Sequence, residues 1–226
     1  MKLIGRDTEL GIVREHVRTS RNLAIWGAEG VGKTALVSEA IAGKRDVLYC
    51  ADASTLKAAC ESLLAALGLT VAGADNIQRK RAILNATRGK RFCFIFDHVG
   101  HVTPKLSSLL ESIHDSHPIM VVARSLAWKD TGHLKLILWD FHTLELGNLR
   151  ESAARQLVAA EVTRLGLSVP DRRQLAREFM RLSRGNPRRI VELCAQASRG
   201  RYVFGDRLSS NLLDLDRRIH ELNLQQ

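Results

Sequence analysis

The segment Gly27–Thr34, with the sequence GAEGVGKT, constrains the fold of this chain more than any other stretch. It matches the pattern G-x-x-x-x-G-K-[ST], follows the apolar run Leu23–Trp26 and precedes residues 35–41, whose apolar positions recur at helical spacing. A strand, a glycine-rich turn and a helix in this order form a phosphate-binding loop, because backbone N–H groups and the positive end of the helix face the phosphates. The motif therefore predicts nucleotide binding.

Side chains and backbone of this loop are predicted to have different roles. Lys33 supplies a positive charge to the β- and γ-phosphates, and the hydroxyl of Thr34 is available to Mg²⁺. The backbone of the other loop residues is predicted to contact the nucleotide; these residues are Gly27, Ala28, Glu29, Gly30, Val31 and Gly32. A glycine-rich turn would match the pattern by accident in about one chain in a hundred of this length. The predicted cofactors are therefore ATP or ADP with Mg²⁺.

Composition limits the class of protein. With 226 residues, 45% of them hydrophobic, the chain can form one medium domain with a full core and a smaller satellite. It has no run of about 18 apolar residues that could span a membrane, and its start lacks the apolar core of a secretory signal, so a cytoplasmic protein is expected. The four cysteines form no C-x-x-C pair, which favours reduced, buried thiols over zinc ligands or disulfides.

Arginine is concentrated in the last third of the chain. The net charge of the whole chain is +10, and the residues from Arg150 onwards include 15 arginines, no lysine and 9 acids, which gives a net charge of +6 by subtraction. Such a surface can attract an acidic partner, because guanidinium groups bind phosphates and carboxylates in a forked geometry. Solvated helix faces that keep the protein soluble would have the same composition. Both interpretations stay open.

Apolar runs alternate with helical patterns over the first 147 residues. Strands are predicted at 22–26, 46–50, 91–97, 118–124 and, fifth, within 138–146. This alternation is typical of an α/β fold with a parallel sheet, in which ligands lie at the carboxyl ends of the strands. Past Gly147 only helices are predicted, at 148–165, 171–183, 187–198 and 206–222. The predicted domains are therefore a nucleotide-binding α/β domain, residues 1–147, and a helical subdomain, residues 148–226.

Asp97 follows a continuous apolar run that is typical of a strand buried on both faces. An acid at this position, about 60 residues after a phosphate-binding loop, is typical of a Walker B aspartate, which holds Mg²⁺ directly or through water. The predicted metal ligands are therefore Thr34 and Asp97.

Five features together resemble the STAND and AAA+ ATPases, in the branch that includes origin-recognition-like, NB-ARC and archaeal-type STAND proteins. They are the opening Gly5-Arg6-Asp7-x-Glu9, the loop Gly27–Thr34, the run 92–97, Arg124 after the next strand, and Gly185-Asn186-Pro187. The resemblance covers nearly the whole chain. It implies a P-loop NTPase fold with a five-stranded parallel sheet in the order 5-1-4-3-2, and a C-terminal helical lid, with the nucleotide between sheet domain and lid.

The resemblance also implies roles for individual residues. Gly5 and Arg6 would lie near the adenine, and Arg124 would be the sensor 1 residue that reads the γ-phosphate; a surface arginine is the alternative. Pro187 would pack near the base, although proline is also common in the first turn of a helix. Either Arg188 or Arg189 would be a sensor 2 arginine.

The sequence departs from the family pattern at His98. Family members usually have a second acid after the Walker B aspartate, where it polarises the attacking water. Histidine can act as a general base near neutral pH, so hydrolysis is expected to be slow rather than absent. The pairs His98/His101 and His114/His117 lack a further Cys or His at motif spacing, which argues against a metal site there.

Three functions are compatible with these features. The first is an ATP-dependent conformational or assembly switch with slow, Mg²⁺-dependent hydrolysis to ADP, for which a protein partner or a homo-oligomer is expected. The second is a DNA-associated helper ATPase of the transposition or replication-loading type, which would bind DNA phosphates through the arginine-rich lid. The third is a nearly inactive ATP-binding scaffold.

Overall fold

Five parallel strands form a single sheet in the computed structural model, which describes residues 3–169, 171–199 and 215–216. The strands are β1 (Leu23–Trp26), β2 (Val47–Cys50), β3 (Cys93–Val99), β4 (Ile119–Ala123) and β5 (His142–Glu145). They lie in the order β2-β3-β4-β1-β5, which is 5-1-4-3-2 when the sheet is read from its other edge. All four strand pairs are parallel. The fold is therefore α/β.

Helices connect the strands and continue after the last one. They are α1 (Asp7–Thr19), α2 (Lys33–Ile41), α3 (Leu56–Ala66), α4 (Asn76–Thr87), α5 (Pro104–His114), α6 (Trp128–Thr131), α7 (Glu151–Arg164), α8 (Arg172–Ser183) and α9 (Pro187–Ala197), with 3-10 turns at His133–Leu136 and Leu138–Asp140. Several helices have capping residues at their N-termini. The side chains of Thr55, Asp75 and Thr103 accept hydrogen bonds from backbone N–H groups in the first turns of α3, α4 and α5. The predicted helix at 206–222 lies outside the described residues, apart from 215 and 216.

The centre of the sheet is apolar on both faces. Phe94, Ile95 and Phe96 of β3 are fully buried, and every residue of β4 is buried. Burial on both faces is the normal state of central strands in a parallel sheet, where helices cover each side. It explains why β3 and β4 read as continuous apolar runs.

β3 does not end at Asp97, as the sequence predicted, but continues to Val99. Phe96 pairs with Val121 and Val99 pairs with Ala123, so β3 has one more residue than β4 over this interval. An extra residue of this kind is a β-bulge, which changes the direction of the side chains beside it. The apolar run breaks at the exposed His98, which is why the continuation was missed.

The described chain divides into two compact units. The sheet unit comprises Asp7–Glu29 and Lys33–Leu146. The helical unit contains residues from 147 onwards, together with residues 3–6 and Gly30–Gly32, which the predicted division placed with the sheet. Its core is formed by α7, α8 and α9 around Leu157, Phe179 and Leu193. The predicted 1–147 and 148–226 division stays a prediction.

Two further predictions concern the cysteines and membrane-spanning helices. All four cysteines are buried and unbridged, as their scattered spacing indicated. None of the helices within the described residues is long and apolar enough to cross a bilayer.

Gly185 should be far less tolerant of substitution than Gly166. Both residues have positive φ, +78° and +63°, so alanine at either costs about 1–2 kcal/mol of backbone strain. A Cβ at Gly185 would lie 2.5 Å from the carbonyl oxygen of Leu149, whereas a Cβ at Gly166 meets nothing within 4 Å. Urea unfolding of Gly185→Ala should therefore show an additional loss of about 1–3 kcal/mol. Equal losses in the two variants would contradict the packing of the turn between α8 and α9.

Candidate functional site

The glycine-rich loop joins the end of β1 to the start of α2. The carbonyl of Trp26, the last residue of β1, accepts a hydrogen bond of 2.7 Å from the N–H of Leu146, which fixes the start of the loop beside β5. Gly30 and Gly32 have φ values of +79° and +97°. Residues with a Cβ rarely adopt this backbone region, so the turn depends on glycine. The loop leads directly into α2, whose first turn begins at Lys33.

Lys33 folds back over its own loop. Its Nζ donates to the carbonyl oxygen of Gly27 at 2.6 Å and to that of Ala28 at 2.9 Å. Partial burial lowers the pKa of Lys33, the charges of Asp97 and Glu29 oppose this shift, and the charge of Arg124 adds to it. The ammonium is thus held at the mouth of the loop, within electrostatic range of both Asp97 and Arg124. Both of these residues were predicted from sequence to belong to the same site.

Asp97 is held by a hydrogen bond to each carboxylate oxygen. Its Oδ2 accepts from the Tyr49 hydroxyl at 2.7 Å, and its Oδ1 accepts from the N–H of His98 at 2.7 Å. The side chain is 1% exposed, and burial together with the bond to Asp97 raises the pKa of Tyr49 well above its usual value. Each carboxylate oxygen has a second lone pair, so Asp97 retains the capacity to bind a cation. Tyr49 is a residue of this site that sequence reasoning missed.

Thr34 and Asp97 are oxygen ligands of the kind that Mg²⁺ prefers. Thr34 is exposed in the first turn of α2, and Asp97 carries its carboxylate on the strand beside β4. One hydroxyl and one carboxylate match the usual way in which Mg²⁺ is held, through one or two protein oxygens, phosphates and water. The residues present therefore fit the predicted cation. No cluster of three or more His, Cys, Asp and Glu side chains suited to a metal occurs in the part of the chain that the structure describes.

Arg124 follows β4 directly and is exposed. The last residue of β4, Ala123, pairs with Trp26, the last residue of β1, so Arg124 lies at the same edge of the sheet as the glycine-rich loop. Its charge lowers the pKa of Lys33, which agrees with this position. An arginine here can contact an anion that binds the loop.

His98 occupies the β-bulge in an unusual backbone conformation. Its φ is +53°, and its side chain is exposed. Histidine, asparagine and aspartate are the residues that enter this left-handed region most readily after glycine. Hydrogen bonds from Ser54 lower the pKa of Asp52 in the loop after β2, and the charge of His98 contributes to the same shift. His98 is therefore close enough to Asp52 to affect its charge.

Gly5 and Arg6 contact the protein backbone and side chains of the helical unit. Arg6 is 7% exposed, and its guanidinium donates to the carbonyl oxygens of Val31 and Gly147. A Cβ at Gly5 would lie 2.3 Å from that of Ala153, so only glycine fits there. Arg6 thus fixes the tip of the glycine-rich loop by a carbonyl hydrogen bond. The predicted contact of these two residues with an adenine stays a prediction.

Asn186 and Arg188 contact Gly30 at the tip of the same loop. The N–H of Arg188 donates to the carbonyl oxygen of Gly30 at 3.1 Å, and a Cβ at Gly30 would lie 2.7 Å from Oδ1 of Asn186. Asn186 also caps α9, and Pro187 is its first residue. The side chain of Arg188 forms an ion pair with Glu192 at 2.8 Å. Asn186 was not among the predicted site residues, although its place before Pro187 is typical of a helix cap.

The second histidine pair has local packing roles. Nε2 of His114 lies 3.2 Å from Oδ2 of Asp140 and 3.0 Å from Nδ2 of Asn22. The ring of His117 packs against that of Phe94, with centroids 5.1 Å apart. Asn22 also accepts from the N–H of Ile119, so this cluster connects β4 to the residues before β1. Both histidines contribute to packing of the sheet unit.

Comparison with known proteins gives a structural likeness but no sequence family. No protein-family model matches the chain, and no curated protein matches it. Among solved structures, the Walker-type ATPase PABY2304 of Pyrococcus abyssi is similar, with a TM-score of 0.65 over 99% of this chain and 77% of that one, at 15% sequence identity. The chain has the fold of a Walker-type ATPase. At this identity the likeness concerns the fold alone.

The Tyr49–Asp97 hydrogen bond should make a measurable contribution to stability. Single variants Tyr49→Phe and Asp97→Ala, with the double variant, form a double-mutant cycle that isolates the energy of this contact, because alanine leaves no acceptor for the Tyr49 hydroxyl. Because the acceptor is a buried carboxylate, the coupling energy from urea unfolding should be about 1.5–3 kcal/mol. Strictly additive effects of the two substitutions would show that Tyr49 does not hold Asp97 in place.

Proposed function

We propose that this chain binds ATP at the Gly27–Thr34 loop and hydrolyses it slowly, as a nucleotide-dependent switch of the STAND and AAA+ type. One observation carries the proposal: Lys33, at the start of α2, lies within electrostatic range of both Asp97 and Arg124. These residues supply two cations and a carboxylate around a loop whose shape suits phosphate. The Walker-type ATPase fold of PABY2304 supports the same proposal.

On phosphate binding, the ammonium of Lys33 would exchange its two carbonyl acceptors within the loop for phosphate oxygens. Its ammonium donates to two carbonyl oxygens, and a phosphate oxygen is a stronger acceptor because it is charged. The partial burial that lowers the pKa of Lys33 also reduces the competition from water, which strengthens its attraction for an anion. The N–H groups at the start of α2 would complete the phosphate site.

Mg²⁺ would be held by Thr34 and Asp97 and would neutralise charge on the β- and γ-phosphates. The chain itself fixes the position of the carboxylate before any nucleotide arrives. Tyr49 and the N–H of His98 each bond one oxygen of Asp97, so the carboxylate cannot rotate away without losing a hydrogen bond in a buried position. This pre-organisation reduces the entropy lost on binding.

The switch would use Arg124 and the contacts of Gly30. Arg124 would sense the third phosphate, since it follows β4 at the loop edge of the sheet. Gly30 bonds to the N–H of Arg188 and packs against Asn186, so a nucleotide that moves the loop tip would also disturb the start of α9. A γ-phosphate can shift a conformational equilibrium only through contacts that ADP lacks, and these two sets of contacts are the candidates. Residues 147 onwards would then act as the lid.

Slow hydrolysis follows from the chemistry of His98. A carboxylate at this position would be ionised at neutral pH and would orient the attacking water, whereas an imidazole accepts a proton only when it is neutral and correctly placed. The side chain of His98 is exposed on the bulge. The rate of ATP hydrolysis is therefore expected to be limited by the absence of a carboxylate at this position.

Replacing Lys33 by alanine should weaken ATP binding by about 10- to 100-fold, because one charge-assisted contact is lost. Isothermal titration calorimetry with Mg-ATP measures the effect. The matched control is Lys44→Ala, which removes an exposed lysine just after α2 and should leave the affinity unchanged. If Lys33→Ala bound ATP as tightly as the control, the loop would not be the nucleotide site.

Replacing His98 by aspartate should raise the rate of ATP hydrolysis, by up to about 10²-fold, if the missing carboxylate limits turnover. Aspartate is preferred to glutamate here because it tolerates the positive φ of this residue. His98→Asn is the matched control, since asparagine has the shape and the backbone tolerance of aspartate without its charge. Steady-state phosphate release checks the prediction. Fast wild-type hydrolysis that His98→Asn abolished would show instead that the histidine is the base.

A further inference from the structure

The ion pairs of the helical unit divide its arginines into two groups. Among the described residues of this unit, four arginines pair with a glutamate one turn away on the same helix. These pairs are Arg155–Glu151, Arg164–Glu161, Arg181–Glu178 and Arg188–Glu192. Pairs of this kind are worth little individually, but each cancels a positive charge locally. The excess charge of the unit must therefore come from other arginines.

Three arginines of α8 lie in the second group. In the part of the chain that the structure describes, the guanidinium groups of Arg172, Arg173 and Arg177 form no hydrogen bond or ion pair, and all three residues are exposed. The nearby Asp171 caps α8 and accepts from the N–H groups of Arg173 and Gln174. These bonds lower the pKa of Asp171, and the charges of Arg177 and Arg173 contribute. Asp171 is thus occupied by the backbone and offsets one charge at most.

The same three arginines line a groove between α7 and α8. The groove has a volume of about 530 Å³. Its lining consists of Arg155, Val158, Ala159, Val162, Asp171, Arg172, Arg173, Ala176 and Arg177. Because Arg155 is paired with Glu151, the other three arginines and the one aspartate give the lining a net charge of +2 by subtraction. None of these residues belongs to the candidate nucleotide site.

The remaining lining residues are small and aliphatic. Val158, Val162 and Ala176 are at most 8% exposed and form the floor, while Ala159 is exposed beside them. A cationic rim around an aliphatic floor is complementary to a helix that carries carboxylates beside aliphatic side chains. Arginine suits such a rim, because its planar fork binds a carboxylate with two hydrogen bonds. Recognition of amphipathic helices in grooves follows this arrangement.

We propose that the groove between α7 and α8 binds an acidic amphipathic helix of a partner protein. A nucleic acid is the less favoured occupant, because single-stranded binding surfaces offer aromatic rings for base stacking and none of the described residues that line the groove is aromatic. The volume is in the range that accommodates several side chains, whereas a duplex backbone needs no recess. The proposal does not depend on ATP binding at the glycine-rich loop.

The test measures peptide binding to the full chain by fluorescence anisotropy. The probe is a labelled, alanine-based helical peptide with leucines at i, i+4 and i+7 and glutamates flanking them, and its partner probe has glutamine in place of every glutamate. The acidic peptide should bind at least about tenfold more tightly than the glutamine peptide. The variant Arg172→Gln/Arg173→Gln/Arg177→Gln should lose at least about tenfold in affinity for the acidic peptide.

Two controls separate this site from others. Arg181→Gln removes an arginine of α8 that is paired with Glu178, so it should not change peptide binding. Lys33→Ala should not change peptide binding either, which keeps the outcome separate from the nucleotide site.

Equal binding of both peptides, or no binding of the acidic peptide at low salt, would overturn the proposal. So would an unlabelled duplex oligonucleotide that binds through the three arginines while the acidic peptide does not, since the surface would then recognise phosphates.

Discussion

The ammonium of Lys33 is held against two carbonyl oxygens of its own loop, and the proposed chemistry depends on this placement. The carbonyls of Gly27 and Ala28 can reach Lys33 because the loop turns back through glycines with positive φ before α2 begins. A buried strand at one end of the loop and a helix at the other fix where the charge lies. The loop geometry thus positions a cation at a sheet edge where a parallel α/β fold binds its ligands.

Hydrogen bonds also fix the positions of individual groups within each of the two compact units. In the sheet unit, Asp97 is buried and each of its oxygens accepts a hydrogen bond, so the carboxylate has a fixed direction. In the helical unit, the tip of the loop bonds to Arg6 and Arg188. Within the sheet unit, a charged ligand would therefore meet a carboxylate whose position is set by hydrogen bonds, which is the condition under which electrostatic interactions are strongest.

The sequence predicts those features that arise from local pattern. Apolar runs identify β1 to β4, and the motif places the loop. β5 was predicted only as a strand within 138–146, because its residues His142–Glu145 are mostly exposed and form no apolar run. The pairing of Tyr49 with Asp97 could not be predicted, since it depends on which strands are neighbours and on side-chain direction. The bulge at His98 was missed because nothing in the local pattern marks an extra residue in β3. The groove between α7 and α8 likewise depends on the packing of two helices, although its arginines are evident in the sequence.

A structure of the protein with Mg²⁺ and a non-hydrolysable ATP analogue tests the central claim most directly. The account predicts that the triphosphate lies along the Gly27–Thr34 loop and that Nζ of Lys33 leaves the carbonyls of Gly27 and Ala28 to contact the β- and γ-phosphates. It also predicts that the cation lies beside Thr34 and Asp97 while the Tyr49–Asp97 bond persists. A nucleotide bound elsewhere, or a Lys33 that stays on the two carbonyl oxygens in the presence of bound analogue, would contradict the account.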